Sequence, residues 1–224
     1  VHGHQYGDST SGINLQQIYE AGEAFERLIN HAAWLEQVKH FVGGEGTFDH
    51  KHGPLFMDEN FVTVRGPGEA IGLHSGGYTP TKRTQFHVKD GKFMCGQINV
   101  LMALTEMGPG DGTTMVIPGS HKSNFQPPDY AENEMQPGAS VDSVENAIEV
   151  FMEPGDALLF TDAICHGSAK RTNEGQRRVC VYRYGPSWGY FRHGYRPSDE
   201  LLARLTDERR RMVSPHDSPI LPPE

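Results

Sequence analysis

Residues 92–104 read Lys-Phe-Met-Cys-Gly-Gln-Ile-Asn-Val-Leu-Met-Ala-Leu, and their alternation decides the fold. Successive side chains of a strand point to opposite faces. Gln97, Asn99, Leu101 and Ala103 therefore share one face, and Ile98, Val100, Met102 and Leu104 share the other. The second face is apolar throughout and reads as core. The first begins polar and becomes small and apolar, as a pocket wall does when its mouth lies at the Gln97 end. Turn signals at Asp90-Gly91 and Gly108-Pro109-Gly110 bound the run.

The pattern recurs outward from this run. Phe61–Val64 is rich in strand formers and stops at Gly66-Pro67-Gly68, and further short strands are expected at 113–117, 147–152, 157–160 and 178–184. Short strands at this spacing, separated by Pro/Gly turns, predict a sandwich or jelly roll. From Ile13 to Val42 the apolar period is instead helical. Phe25, Leu28 and Ile29 form one group, Trp34, Leu35, Val38, Phe41 and Val42 a second, and Gly43-Gly44 supplies the stop. Residues 13–42 are thus expected to buttress a β core at about 60–185. Ser198 is placed to cap a C-terminal helix over 198–212. The polar stretch 124–143, with Pro127-Pro128, reads as a long loop of the kind that forms lids.

Composition narrows the class. The 224 residues are 36% hydrophobic and 22% charged, enough for a single domain with one sizeable core. Net charge is −9 with no Lys/Arg stripe, which argues against nucleic acid or an anionic membrane as partner. No apolar run approaches the ~18 residues of a membrane span, and no signal peptide is evident. Cys95, Cys165 and Cys180 form no Cys-x-x-Cys pair. They read as reduced, partly buried thiols of a cytoplasmic protein.

Four features carry the chemistry, in order. His74 sits in Gly72-Leu73-His74-Ser75-Gly76-Gly77-Tyr78, and Pro118-Gly119-Ser120-His121-Lys122 follows the long strand. Gly155-Asp156-Ala157-Leu158-Leu159-Phe160 then leads to His166-Gly167-Ser168, and Arg177 lies eleven residues beyond His166. Together these resemble the phytanoyl-CoA hydroxylase family of Fe(II)/2-oxoglutarate-dependent oxygenases, over roughly residues 60–185. The resemblance implies a mainly β fold with flanking α-helices, a double-stranded β-helix of the cupin-like jelly-roll type. It implies Fe(II) and 2-oxoglutarate as cofactor and co-substrate, with His74 and His166 as the histidine ligands. Arg177 matches the residue that grips the distal carboxylate of 2-oxoglutarate, and Ser168 is placed to add a hydroxyl to it. Gln97 or Asn99 is a further donor candidate from the facing strand, unless the two satisfy each other. His87, Tyr184 and Trp188 are candidates for the substrate pocket. His121 belongs to a turn in the family and not to the metal.

One departure stands out. The family pattern is His-x-Asp, and position 76 is glycine. Three readings follow: chloride or water fills the place of the carboxylate, as in related halogenases; a carboxylate comes from elsewhere; or the protein is a binding module without a metal. Asp162, four residues before His166 and in a turn at the open end, is the leading substitute. Asp111 is expected at the closed end, and Asp90 and Glu69 are weaker. Both histidines and Arg177 are retained, which favours an enzyme, with hydroxylation ahead of halogenation.

Overall fold

Strand β12 (Arg177–Pro186) is the spine of the computed structural model, which describes residues 5–6, 12–42, 53–78, 84–123, 125–128, 130–134, 144–187 and 195–214. The other strands are β1 (Gln5–Tyr6), β2 (Ile13–Gln16), β3 (Leu55–Arg65), β4 (Ile71–His74), β5 (Phe86–Lys89) and β6 (Lys92–Cys95). After them come β7 (Ile98–Ala103), β8 (Thr114–Val116), β9 (Ile148–Val150), β10 (Ala157–Thr161) and β11 (His166–Ser168). The helices are α1 (Glu23–Glu26), α2 (Leu35–Val42), α3 (Tyr130–Asn133), α4 (Asp199–Arg204) and α5 (Asp207–Val213). The strands form a six-stranded sheet in the order β1-β2-β3-β12-β7-β10, a four-stranded sheet β4-β11-β8-β9, and the hairpin β5-β6. This is the mainly β, jelly-roll architecture read from the sequence.

Alternation on β12 divides the protein. Cys180, Tyr182 and Tyr184 face outward and are buried with Ile29, Trp34 and Val38 of the helical layer, together with Leu201 and Met212 from α4 and α5. Val179 and Val181 face inward and pack with Leu101, Ala103, Met107 and Met152. A smaller apolar cluster around Leu73, Met115 and Cys165 covers the other side of the four-stranded sheet. Between the two sheets lies a cavity of about 110 Å³, walled by Phe61 and Thr63 of β3, Leu101 of β7, Phe160 of β10, four residues of β12, and Ile71, His74, Thr114, His166, Gly167 and Ser168 of the smaller sheet. The alternation of the 97–103 segment thus separates cavity wall from core as expected.

Three local readings need correction. The helical period at 13–42 does not hold at its start, because Ile13–Gln16 is a strand added to the edge of β3, with Ile13 opposite Val64 and Leu15 opposite Val62. Pairing with an exposed sheet edge overrides a period that four residues cannot fix. The run 92–104 breaks at Gly96-Gln97. Its first part instead pairs with β5 through the Asp90-Gly91 turn, where both residues have positive φ (52° and 74°), the geometry of a tight hairpin. The single helix expected over 198–212 is two, because Leu205 and Thr206 are extended and Thr206 caps a new start by accepting from the Arg209 N–H. Ser198 caps the first, accepting from the Leu201 N–H at 3.1 Å. Of the stretch 124–143, only 125–128 and 130–134 are described, and there α3 seats Tyr130 edge-on against Tyr78 at 5.1 Å. Among the described residues no helix is long and apolar enough to cross a membrane.

Candidate active site

His74 ends β4 and His166 begins β11, and the ladder sets them directly opposite each other. Their ring centroids are 4.0 Å apart. Each Nδ1 lies beside the carbonyl two residues before it, Gly72 O at 3.0 Å for His74 and Ile164 O at 2.8 Å for His166. A carbonyl only accepts, so each Nδ1 carries the proton and each Nε2 presents the lone pair a metal needs. Burial, and then the neighbouring His74, hold the His166 imidazole well below the ordinary histidine range, in its neutral form. Gly167 permits this pairing, since a Cβ there would stand 2.5 Å from the Ile71 carbonyl on β4.

Asp162 occupies the space that Gly76 leaves. The Gly76 N–H donates to the Asp162 carbonyl at 2.8 Å, and a Cβ built on Gly76 would lie 2.2 Å from Asp162 Oδ2. A carboxylate is therefore present where a side chain at position 76 would emerge, but it enters from the β10–β11 turn. It is 3% exposed, and its charge acts on His166. Asp162 Oδ1 accepts from Gln97 Nε2 and Asn99 Nδ2, both at 3.4 Å, and Gln97 also donates to Asn99 Oδ1 at 3.2 Å. Among the described residues no three His, Cys, Asp or Glu side chains group closely enough to hold a metal ion; Asp162 is near enough for its charge to act on His166. The donor set of two neutral imidazoles and one carboxylate suits Fe(II).

The far end of the cavity is cationic. Arg177 is 4% exposed, and among the described residues its donors meet only Met107 Sδ and Thr114 Oγ1, both at 3.3 Å. Directly opposite on β3 stands Arg65, 2% exposed, which donates to Ser168 Oγ at 2.6 Å and to the Glu69 carbonyl. Burial, and then the charges of Arg65 and Arg171, lower the proton affinity of Arg177. Arg171 is neutralised by Asp111 at 2.9 Å, whereas neither Arg65 nor Arg177 meets a carboxylate among the described residues. Sequence reasoning missed Arg65. An arginine at a strand end before Gly-Pro-Gly usually reaches solvent, and only the inward phase shared with Phe61 and Thr63 signals otherwise.

The remaining candidate residues divide. Gln97 and Asn99 do not reach the Arg177 end as donors for a co-substrate, because their amides are on Asp162. Tyr184 does not line the pocket; it is fully buried in the helical layer, accepting from Trp34 Nε1 at 2.9 Å and donating to the Leu28 and Ile29 carbonyls. The bulge between Arg183 and Tyr184 does not alter that outward phase. His87 is exposed on β5, outside the cavity, and Trp188 lies outside the described residues. Asp111 is committed to Arg171, Asp90 is at the hairpin tip, and Glu69 pairs with Lys170 at 3.1 Å. His121 packs its ring against Phe86 and Phe93. The three thiols are buried, and burial pushes Cys95 up to about 11 and Cys165 and Cys180 up to about 12, so they stay protonated.

Comparison with known proteins bears on the fold and the family. The dioxygenase cdmD of Talaromyces verruculosus is 23% identical over 184 residues, covering 81% of this chain and 54% of that protein. The peroxisomal phytanoyl-CoA dioxygenase of Rattus norvegicus is 30% identical over 91 residues, 38% of this chain and 27% of that one. The chain thus spans about half the length, or less, of these relatives. HygX from Streptomyces hygroscopicus, solved with nickel and 2-oxoglutarate, superposes with a TM-score of 0.69 at 23% identity, over 89% of this chain and 80% of that one. The profile of the phytanoyl-CoA dioxygenase family matches residues 9–179, and the chain belongs to that family.

Proposed function

We propose that this chain is an Fe(II)/2-oxoglutarate-dependent oxygenase that hydroxylates or oxidises an unactivated carbon of a small-molecule substrate, with His74, His166 and Asp162 as the metal ligands. The observation that carries the reading is the sharing of one cavity by two features. One is an imidazole pair with both Nδ1 atoms committed to carbonyls. The other is the buried Arg177 guanidinium, which meets no carboxylate among the described residues. The first presents neutral nitrogen to a metal, and the second is incomplete without an anion.

Bound iron would supply oxygen activation and hydrogen abstraction, coupled to decarboxylation of 2-oxoglutarate to succinate. The chain supplies placement. Arg177 offers its planar fork to the distal carboxylate, with Thr114 at its side and Ser168 held by Arg65. Phe61, Leu101, Phe160, Val179 and Val181 wall the space between the two ends and exclude water. His166 is held neutral for ligation, and Gln97 and Asn99 orient Asp162.

The halogenase reading would have a halide in the place of the missing carboxylate. Asp162 Oδ2 at the Gly76 cradle favours a protein carboxylate over chloride. The test is an anaerobic Fe(II) titration followed by succinate formation from 2-oxoglutarate. Wild type should bind one iron and Asp162→Ala should bind it far more weakly. Absence of iron binding by wild type overturns the assignment, and iron binding that requires chloride and ignores Asp162→Ala favours halogenation.

A further inference from the structure

Arg177 and Arg183 are the only charged side chains among the described residues lining the cavity. Both lie on the inward phase of β12, six residues apart, which is about 20 Å of strand at ~3.3 Å per residue. Arg177 marks the floor. Arg183 stands opposite Asn99, Asn99 stands opposite Phe160, and the Phe160 ring packs on His166 at 4.9 Å. Arg183 therefore belongs to the level of the histidine pair, and its charge acts on His166.

The guanidinium is fixed from behind. Its Nη1 donates to Glu59 Oε2 at 2.6 Å, Glu59 Oε1 accepts from Gln16 Nε2 at 3.2 Å, and Gln16 Oε1 accepts from the Tyr195 hydroxyl. Glu59 itself does not line the cavity. The Arg183 Cζ lies 5.4 Å from the centre of the Phe61 ring. Its Nε is buried and has no hydrogen-bond partner among the described residues. The Arg171 Nε is likewise without a partner among the described residues although Arg171 pairs with Asp111, so the unpaired donor alone does not mark a ligand site. What sets Arg183 apart is its place on the wall of a cavity whose lining, among the described residues, holds no carboxylate.

We propose that Arg183 is a second carboxylate-binding point, at the metal level of the cavity, complementing Arg177 at the floor. The carboxylate has two sources of the same chemistry: the C1 end of 2-oxoglutarate, or a carboxylate carried by the substrate. Naming the co-substrate rests on the function proposed above, but the binding point does not.

The experiment is calorimetric, with glutarate and pentanoate added to protein without metal, and octanoate added to protein saturated with Ni(II) and 2-oxoglutarate. If the co-substrate is the source, glutarate binds wild type better than pentanoate, and Arg183→Gln weakens glutarate roughly tenfold or more while leaving pentanoate unchanged. If the substrate is the source, glutarate and pentanoate bind alike, and octanoate binds wild type but not Arg183→Gln. Arg183→Lys keeps the charge and should keep part of either effect, which covers a glutamine variant that folds poorly. Glutarate and octanoate that both ignore Arg183→Gln and Arg183→Lys overturn the proposal. Failure of iron binding with glutarate still dependent on Arg183 would sink the oxygenase reading alone.

Discussion

Arg65 and Arg177 stand directly opposite each other on neighbouring strands, both buried, with no carboxylate between them among the described residues. Like charges placed this way oppose folding, and an unpaired buried charge costs more than a paired one. The arrangement makes sense as half of an ion pair whose other half is a ligand.

Replacing Arg65 by Met should therefore separate stability from function. Without ligand the variant should be as stable as wild type or more so, since one uncompensated buried charge is gone. Its 2-oxoglutarate affinity should fall, because Ser168 loses its anchor at 2.6 Å. Arg177→Ala should cost about 1.5–3 kcal/mol of 2-oxoglutarate binding, the range of a charge-assisted contact. Thermal melts with and without 2-oxoglutarate read both effects. A ligand-induced rise in Tm that survives in both variants would remove this pair from the co-substrate site.

The position of the carboxylate can be tested by exchange. Asp162→Ala should weaken Fe(II) binding strongly. Gly76→Ala should do the same, because its Cβ would stand 2.2 Å from Asp162 Oδ2 and push that carboxylate away. Combining Gly76→Asp with Asp162→Ala returns a carboxylate to the same space from the other strand, and should recover part of the iron affinity. Thr84 limits the recovery, as its Cβ lies 2.8 Å from the new Cβ. Anaerobic Fe(II) titration reads the series, and a double variant no better than Asp162→Ala would sink the idea that the two positions serve one ligand.

How much of this was legible depends on where each signal resides. His74, His166 and Arg177 sit at fixed offsets in local motifs, and strand alternation carries their side chains into one cavity. Asp162 was legible as a turn residue near His166, but its meeting with Gly76 is a contact between two loops that no spacing encodes. Gln97 and Asn99 were legible as inward polar residues; their partner was not, because a strand phase gives the face and not the level of the neighbour. Arg65 and Tyr184 depend on ladder register. Pairing of β3 with β12 sets Arg65 against Arg177, and packing of the helical layer makes a core residue of a tyrosine that composition places in either environment.

Asn99→Leu should expose the role of the amides behind Asp162. It removes one of the two donors on Oδ1 without touching either histidine. Groups that orient a metal ligand are typically worth ~10–100-fold in metal affinity, so Fe(II) binding should weaken by about that factor while metal-free glutarate binding stays unchanged. A variant that loses glutarate and keeps iron would return Asn99 to the co-substrate.

Tyr184→Phe distinguishes core from pocket for the one aromatic candidate whose surroundings are described. The hydroxyl accepts from Trp34 Nε1 at 2.9 Å and donates toward the Ile29 and Leu28 carbonyls at 3.0 and 3.1 Å. Its removal leaves the indole N–H and a buried carbonyl without that partner, a loss of about 1–3 kcal/mol. For a chain of this size each kcal/mol lowers Tm by about 2–4 °C. The melt should therefore move down by several degrees, with iron and 2-oxoglutarate affinities unchanged, because β12 presents Tyr184 to the helices and Arg183 to the cavity. A variant with wild-type stability and impaired substrate turnover would put the tyrosine back in the pocket and the phase of β12 in error beyond its bulge.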